Sequence, residues 1–322
     1  MIKRLQGILL FLLAVNIGAD CQESAYGPGY QTILINNPAF TGSESDGILR
    51  LSYLNYYPGN NYNLHSVFVS YDTYMPLIHG GAGFFLSDDY LGGIINDMRG
   101  GFSYSYHLQA DKNIFINAGL SASFYHRGFN RNNIILPDQI DPLNGVVYTS
   151  GETIVNRGRT VLDIGAGFLL IAGKFLGGFS MSHLAKPDLS GTGNSEERLQ
   201  RKMTLNISAK FDINKNIRLA ARPVFFSELQ GDRITAGAGG SIESNIIAFS
   251  TMFMFNRAKD FDLQTGFSLK KGVVLVFYNY CFNIASGSRF LPISLLHQAG
   301  LAVSLNNVDK RKIIKTINFP KL

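Results

Sequence analysis

The 322-residue sequence predicts an all-β fold, a transmembrane antiparallel β-barrel of about fourteen strands with twelve as the alternative count, and three observations predict it. From about residue 48 onward, segments of about ten residues alternate strictly between apolar and polar and are separated by turn-forming clusters. In residues 203–213, Met203, Leu205, Ile207, Ala209, Phe211 and Ile213 share one face, and Thr204, Asn206, Ser208, Lys210 and Asp212 share the other, because successive side chains of a strand point oppositely. Residues 261–270 repeat the design, with Phe261, Leu263, Phe267 and Leu269 against Asp262, Gln264, Ser268 and Lys270. A strand of about 9–11 residues with an aromatic-rich row and an ionic row is the unit of a membrane barrel. Second, no stretch of eighteen apolar residues follows the N-terminal region, so the remainder lacks a transmembrane helix. Third, the chain carries 24 Phe, 15 Tyr and 34 Gly with only 16% charged residues, at a mean hydropathy of +0.07. Lipid requires every backbone polar group to be paired internally, and among sheets only a closed barrel satisfies that.

Taken in chain order, residues 1–21 have the layout of a secretory signal: Lys3 and Arg4, the apolar run Ile8 to Ile17, then small residues. Ala19 and Cys21 fit the positions before a cut that leaves Gln22 first. Gly18, where a lipoprotein signal has Leu, and Asp20 beside the cysteine argue against lipid on Cys21. The apolar run is also shorter than the ~20 residues of a spanning helix. Residues 22–47 form an N-terminal segment able to plug a barrel, residues 48–306 the barrel, and residues 307–322 a basic periplasmic tail. Strands are expected at about 48–57, 64–74, 80–88, 98–108, 113–126, 160–170, 174–184, 202–213, 216–227, 232–243, 245–256, 260–270, 273–283 and 298–306. The stretches 127–159 (with Pro137, Pro142 and Asn144-Gly145), 185–201 and 284–297 read as long outer loops; 214–216 and 270–272 read as short periplasmic turns. An even strand count brings both barrel ends to the periplasm. Pro223 cannot donate a ladder hydrogen bond, which predicts a bulge or strand end there, and Gly237, Gly239 and Gly240 leave room for inward side chains or curvature. The tail carries Lys310, Arg311, Lys312, Lys315 and Lys321. It reads as a solvated segment or, given Ile313, Ile314, Ile317 and Phe319, as a docking strand for a periplasmic partner.

No catalytic pattern emerges. His65, His79, His107, His126, His183 and His297 are scattered without a metal-ligand spacing, and Cys281 stands alone once the signal is removed. His65 and Ser66 are adjacent on a strand and point to opposite faces, which does not suit a nucleophile and base. Asp88 and Asp89 lack a partner base. Gly81-Ala-Gly83 and the glycines at 237–240 lie in strand patterns with no following helix, which excludes a phosphate loop. Asn206-Ile-Ser208 matches a glycosylation sequon inside a strand. The reading is therefore non-enzymatic, without cofactor or metal. A formal net charge of +6 is modest and does not call for nucleic acid. Lys210, Arg218, Arg222, Arg233 and Glu243 fall on inward rows, where charge suits a water-filled channel and an ionic plug equally well.

Several motifs in order resemble the PorP/SprF family, outer-membrane proteins of the type IX secretion system. INNPAFTG at 35–42 is similar to its INPAYAG motif, with Asn37, Pro38, Ala39 and Gly42 as the matching positions. SYDTYMPL at 70–77 resembles its Ser-x-Asp-x-Pro-Leu through Asp72 and Pro76, with two residues inserted. GGAGFFLSDDYLGG carries an Asp-x-x-Gly at Asp89 and Gly92, and FSYSYHL at 102–108 is similar to YAYHL. FLGGFSMSHL at 175–184 resembles FYLGLSVPNL, and VFYNYCFN at 276–283 stands where GYSYDY is expected. The chain departs from the family in its opening QESAYGPGYQ, in lacking the Trp of the first strand, and in His297-Gln298 where His-Glu is common. The resemblance implies a non-enzymatic barrel, set in outer-membrane lipid, that supports secretion or surface anchoring of a partner cargo such as a large adhesin. It also implies contact with periplasmic ring or lipoprotein subunits of that system. Asn37, Pro38, Ala39, Gly42, Asp72, Pro76, Asp89 and Gly92 are its candidate partner or motif residues. A passive channel or hydrophobic-solute transporter is the alternative.

Overall fold

The alternating rows close into a barrel because each strand leaves one unpaired edge until the last meets the first. The computed structural model describes residues 32–44, 46–58, 64–129, 139–141, 145–146, 158–189, 198–214, 216–257, 260–285 and 294–308. The predicted signal at 1–21, the residues up to 31 and the tail from 309 lie outside the described residues, as do Pro137, Pro142 and Asn144. The strands are β1 (Ile48–Tyr56), β2 (Leu64–Met75), β3 (Gly80–Leu91), β4 (Ile95–Asp111), β5 (Ile114–Phe129), β6 (Arg159–Ala172), β7 (Phe175–Ser182), β8 (Lys202–Ala209, resuming as Phe211–Asn214), β9 (Leu219–Gln230), β10 (Arg233–Glu243), β11 (Ile247–Asn256), β12 (Phe261–Lys271), β13 (Val274–Ala285) and β14 (Ser294–Ser304). With the two parts of β8 counted as one, fourteen strands pair antiparallel in chain order, and β1 closes on β14 from Ile48 opposite Ser304 to Tyr56 opposite Leu296. A two-residue ribbon, Ile140–Asp141 with Gly145–Val146, lies between β5 and β6.

One end of the barrel carries short turns, such as 112–113, 173–174 and 272–273, together with the start of β1 and the end of β14; the other carries the long connections, including 130–158 and 183–201. At the short-turn end the seam is stitched by Asp46. Its carboxylate accepts from the Asn306 and Asn307 nitrogens at 3.2 and 3.1 Å, while Gly47 N donates to Asn307 Oδ1 at 2.9 Å.

All fourteen expected strands are present, β3, β4 and β5 each running three residues beyond the expected bounds, and three other differences change what a residue does. Strand β14 begins at Ser294, so the loop expected at 284–297 is shorter than its composition indicated. Strand β9 begins at Leu219, which places Arg218 in a turn with φ 50° and off the inward row. The bulge expected at Pro223 is absent: Pro223 stands opposite Gly240 in an unbroken register with β10. The proline acts on its other neighbour. Strand β8 breaks at Lys210 with no change of register, Ser208 opposite Val224 and Phe211 opposite Ala221, while on its other side Lys210 N keeps the in-register bond to the Lys174 carbonyl of the β7 side at 2.9 Å.

Burial is inverted relative to a soluble fold. Outward rows are apolar and open, with Phe102 75% and Leu162 79% exposed, whereas the inward serines Ser52, Ser66, Ser70 and Ser105 are buried completely. No described helix is long and apolar enough to cross a membrane; strands with an apolar outer belt do so. Toward the long-loop end, rings gather on the outer face. His65 stacks on Tyr90 at 4.8 Å, and Tyr280 meets His297 at 4.8 Å, the amphipathic girdle of a barrel at the headgroup level. Phe102 lies midway along β4, so Phe102→Lys should destabilise the folded barrel by about 2–4 kcal/mol, the cost of a cation at the bilayer midplane. Denaturant unfolding from lipid vesicles measures this, and Phe102→Leu should change little.

Candidate functional site

The inner surface of the barrel holds the N-terminal segment. Asn37 is extended (φ −151°, ψ 109°) because proline follows it, and its side chain accepts from Ala39 N at 2.9 Å, which starts a single 3₁₀ turn at Pro38–Phe40. A one-turn helix, α1 (Ile33–Asn36), precedes it. Two short turns separated by one extended residue make a strap, residues 32–44, rather than a strand able to join the sheet.

The strap runs along the inner wall from β8 to β1. The Asn36 carbonyl accepts from Ser180 on β7 and, at 3.4 Å, from Thr204 on β8. Asn37 Nδ2 donates to the carbonyls of Phe168 on β6 and Phe179 on β7, both at 3.4 Å. The Ala39 carbonyl accepts from Ser105 Oγ on β4 at 3.0 Å and Asn117 Nδ2 on β5 at 3.4 Å. Thr41 Oγ1 meets Ser103 Oγ at 2.9 Å, and His107 Nε2 lies 3.0 Å from the Thr41 carbonyl. Glycines form the seat. A Cβ on Gly119 would overlap the Pro38–Ala39 peptide, one on Gly167 the Asn37 side chain, and one on Gly81 the backbone at Thr41 and Gly42. Gly42 itself needs its glycine twice: φ is +69°, and a Cβ would lie 2.5 Å from Gly81 Cα.

Packing supplies most of the hold. Ile33, Leu34, Ile35, Ala39 and Phe40 share one buried cluster with inward-facing Leu54, Phe68, Phe85, Phe115, Leu169, Ile171 and Leu176. Each large buried side chain contributes about 1.5–3 kcal/mol, against about 0.5–1.5 kcal/mol net for each neutral hydrogen bond. The hydrogen bonds therefore fix the register of the strap, and the apolar side chains anchor it. At its C-terminal end the strap meets an ionic clamp. Buried Arg50 on β1 pairs with Asp72 on β2 and with Glu44 of the strap, while the second Asp72 oxygen accepts from Gly42 N at 2.7 Å.

The structure brings Asn37, Pro38, Ala39, Gly42 and Asp72 together in this one assembly. Pro76 lies apart. It opens the 3₁₀ turn Pro76–Ile78 between β2 and β3 at the short-turn end, closed by left-handed His79 and held by Tyr104 Oη donating to the Ile78 carbonyl at 2.8 Å. Leu77 at its tip is 96% exposed. Asp89 and Gly92 belong to the opposite end: Asp89 is buried on the inner face of β3, opposite Ser66 and Asp97, and Gly92 takes φ +67° in the β3–β4 turn. Asp88 points outward, so the two carboxylates do not meet, and His65 and Ser66 are divided between the faces. Reading by motif missed Arg50, Glu44 and Asn117, and it included His107 in FSYSYHL without singling it out as a site residue. A polar residue in each inward row was the available signal.

Further ionic groups line the wall, among them the buried pair Lys202–Glu228 between β8 and β9. Near the long loops, Arg127 pairs with Asp97 (Nη2–Oδ2 2.6 Å), Tyr125 Oη donates to Asp97 at 2.9 Å, and His183 Nδ1 lies 2.8 Å from Asp163. On the far wall, Arg222 Nε donates to Glu243 Oε1 at 2.9 Å, with Ser241 Oγ donating to the same oxygen at 2.9 Å. Among the described residues no group of three His, Cys, Asp or Glu could hold a metal.

Among solved structures the chain is similar to the TodX deltaS2S3 mutant monoaromatic hydrocarbon channel, with a TM-score of 0.51 and 13% identity over 88% of this chain and 96% of that one. Omp33 of Acinetobacter baumannii follows at 0.48 and 9%, covering 81% and 98%. The likeness to the TodX mutant is one of fold. None of the curated proteins matches. The sequence profile of the type IX secretion system membrane proteins PorP/SprF matches residues 20–291, and the chain, an outer-membrane β-barrel, belongs to that family.

Proposed function

We propose that this protein is a non-enzymatic barrel of the type IX secretion system that supports secretion or surface anchoring of a partner cargo, such as a large adhesin, and contacts the periplasmic machinery with its short-turn end. The observation that carries the reading is the strap. An inner wall covered by the chain's own residues along eight adjacent strands, β8 to β1, takes up space that a passive pore would use and fits a barrel whose work is to hold partners. Short turns face the periplasm in bacterial barrels. There Leu77 projects from a rigid turn, and an exposed apolar tip of that kind suits insertion into a partner's apolar pocket. Pro76 shapes that contact, whereas Asn37, Pro38, Ala39, Gly42 and Asp72 serve it by fixing the strap.

An affinity pull-down of the tagged barrel from outer membranes in mild detergent, with mass spectrometry of what stays bound, tests the reading. Recovery of a large secreted protein or of type IX ring or lipoprotein subunits supports it; a barrel that emerges alone argues against it. Leu77→Asp should leave folding within about 0.5 kcal/mol of wild type, since the side chain touches little, and should remove the periplasmic subunits from the pull-down. The second reading, a solute channel, is favoured by the likeness to a hydrocarbon channel and by charged Arg222 and Glu243 on the inner wall. Solute flux through the wild-type barrel in liposomes would support that reading.

A further inference from the structure

We propose that residues 32–44 are a gate: the strap closes the lumen in the resting barrel and is held shut by a latch at Arg50. The inference concerns the lumen alone and stands whether or not the cargo reading holds.

The strap makes no ladder with any strand. Its wall contacts include side-chain bonds to its main chain at Asn36, Ala39, Thr41 and Gly42, bonds made by its own Asn37, Thr41, Ser43 and Glu44 side chains, and apolar packing, none of which is a strand-to-strand pairing, so it can lift away without unzipping the sheet. The surface beneath it suits water. Ser103, Ser105, His107, Asn117, Ser180 and Thr204 are hydroxyl, imidazole and amide groups that solvent would satisfy once the strap left, as in the polar lining of an open barrel. The apolar cluster opposes that exposure and makes the closed form the resting one. The latch lies at the C-terminal end of the strap, where Glu44 meets Arg50 of β1. Arg50 and Asp72 have side chains 3% and 2% exposed, whereas Glu44 is 34% exposed, so solvent reaches the clamp from the strap's side. Loss of one charge-assisted hydrogen bond there removes enough stabilisation to shift a closed–open equilibrium about tenfold or more.

The test is single-channel recording of the full-length barrel in planar bilayers, with heat-modifiable gel mobility to verify folding. Wild type should be nearly silent. Glu44→Gln, which leaves the Arg50–Asp72 pair in place, should raise open time about tenfold, and Arg50→Ala more. Thr41→Cys with Ser103→Cys, placed where the two hydroxyls lie 2.9 Å apart, should abolish the openings of Glu44→Gln when oxidised and restore them on reduction. A wild type as conductive as the variants would overturn the gate, as would a folded Glu44→Gln that stays silent. Openings that persist with the strap cross-linked would show that the current takes another path, and would overturn it as well. If Arg50→Ala fails to fold, Glu44→Gln and the cross-link decide the matter.

Discussion

Valine at position 119 should unseat the strap while leaving the barrel wall intact. Gly119 faces inward on β5, and its missing side chain is the space through which the Pro38–Ala39 peptide passes. A Cβ there overlaps main-chain atoms, which have no rotamer to escape into, and the two methyl groups of valine enlarge the conflict. Overpacking of this kind costs about 1–3 kcal/mol, occasionally more. Because the strap is a separate layer on the wall, the cost falls on its docking. With Ala39→Cys as reporter, thiol labelling should be blocked in the parent and at least about tenfold faster with Gly119→Val. The only other described cysteine, Cys281, is buried and provides a quiet background. Gly177→Ala is the matched control, since a Cβ at Gly177 meets nothing within 4 Å. Unchanged labelling in Gly119→Val would show that the strap is not seated against β5.

Arg222→Ala should cause the largest loss of stability. The guanidinium and the Glu243 carboxylate are 3% and 4% exposed, and the carboxylate also accepts from Ser241. Removing the arginine strands a buried anion, which costs about 3–5 kcal/mol. Removing both charges with Arg222→Ala/Glu243→Ala should recover much of that, because an absent pair needs no desolvation. Urea unfolding of the wild type and the two variants in vesicles measures the difference. Equal losses in the single and double variants would mean that the site acts through packing of the arginine stem.

The barrel was legible in the sequence because lipid imposes one rule on every strand: apolar outward, polar inward, with period two. That rule fixed strand existence well and ends less well. Arg218 alternates as though it continued β9, yet a left-handed turn claims it. At Pro223 the sequence shows the missing donor but not which neighbour yields, since that depends on the ladders on both sides.

The strap was legible as a motif and its seat was not. Asn36 and Thr204 are 168 positions apart, and no local pattern connects them. Gly81, Gly119 and Gly167 look like ordinary small residues of a strand until the segment they accommodate is in view. One sign was present. Phe84-Phe85-Leu86 and Phe168-Leu169-Leu170-Ile171 are apolar on both faces, which a water-filled lumen does not call for. Such runs mark the places where something apolar lies inside.

The pairing of β1 with β14 also dictates an order of assembly. From β1 to β14 each strand pairs with the next in the chain across a single connection, whereas Ile48 can meet Ser304 only after nearly the whole sheet exists. The strap emerges from the first of those two strands and crosses the wall as far as β8. Laid onto the open sheet before the seam joins, like a keel set before the hull is planked, it is enclosed with the lumen and stays inside whether docked or lifted. The machinery that inserts this protein should therefore release it only after the first and last strands have met over a strap already inside.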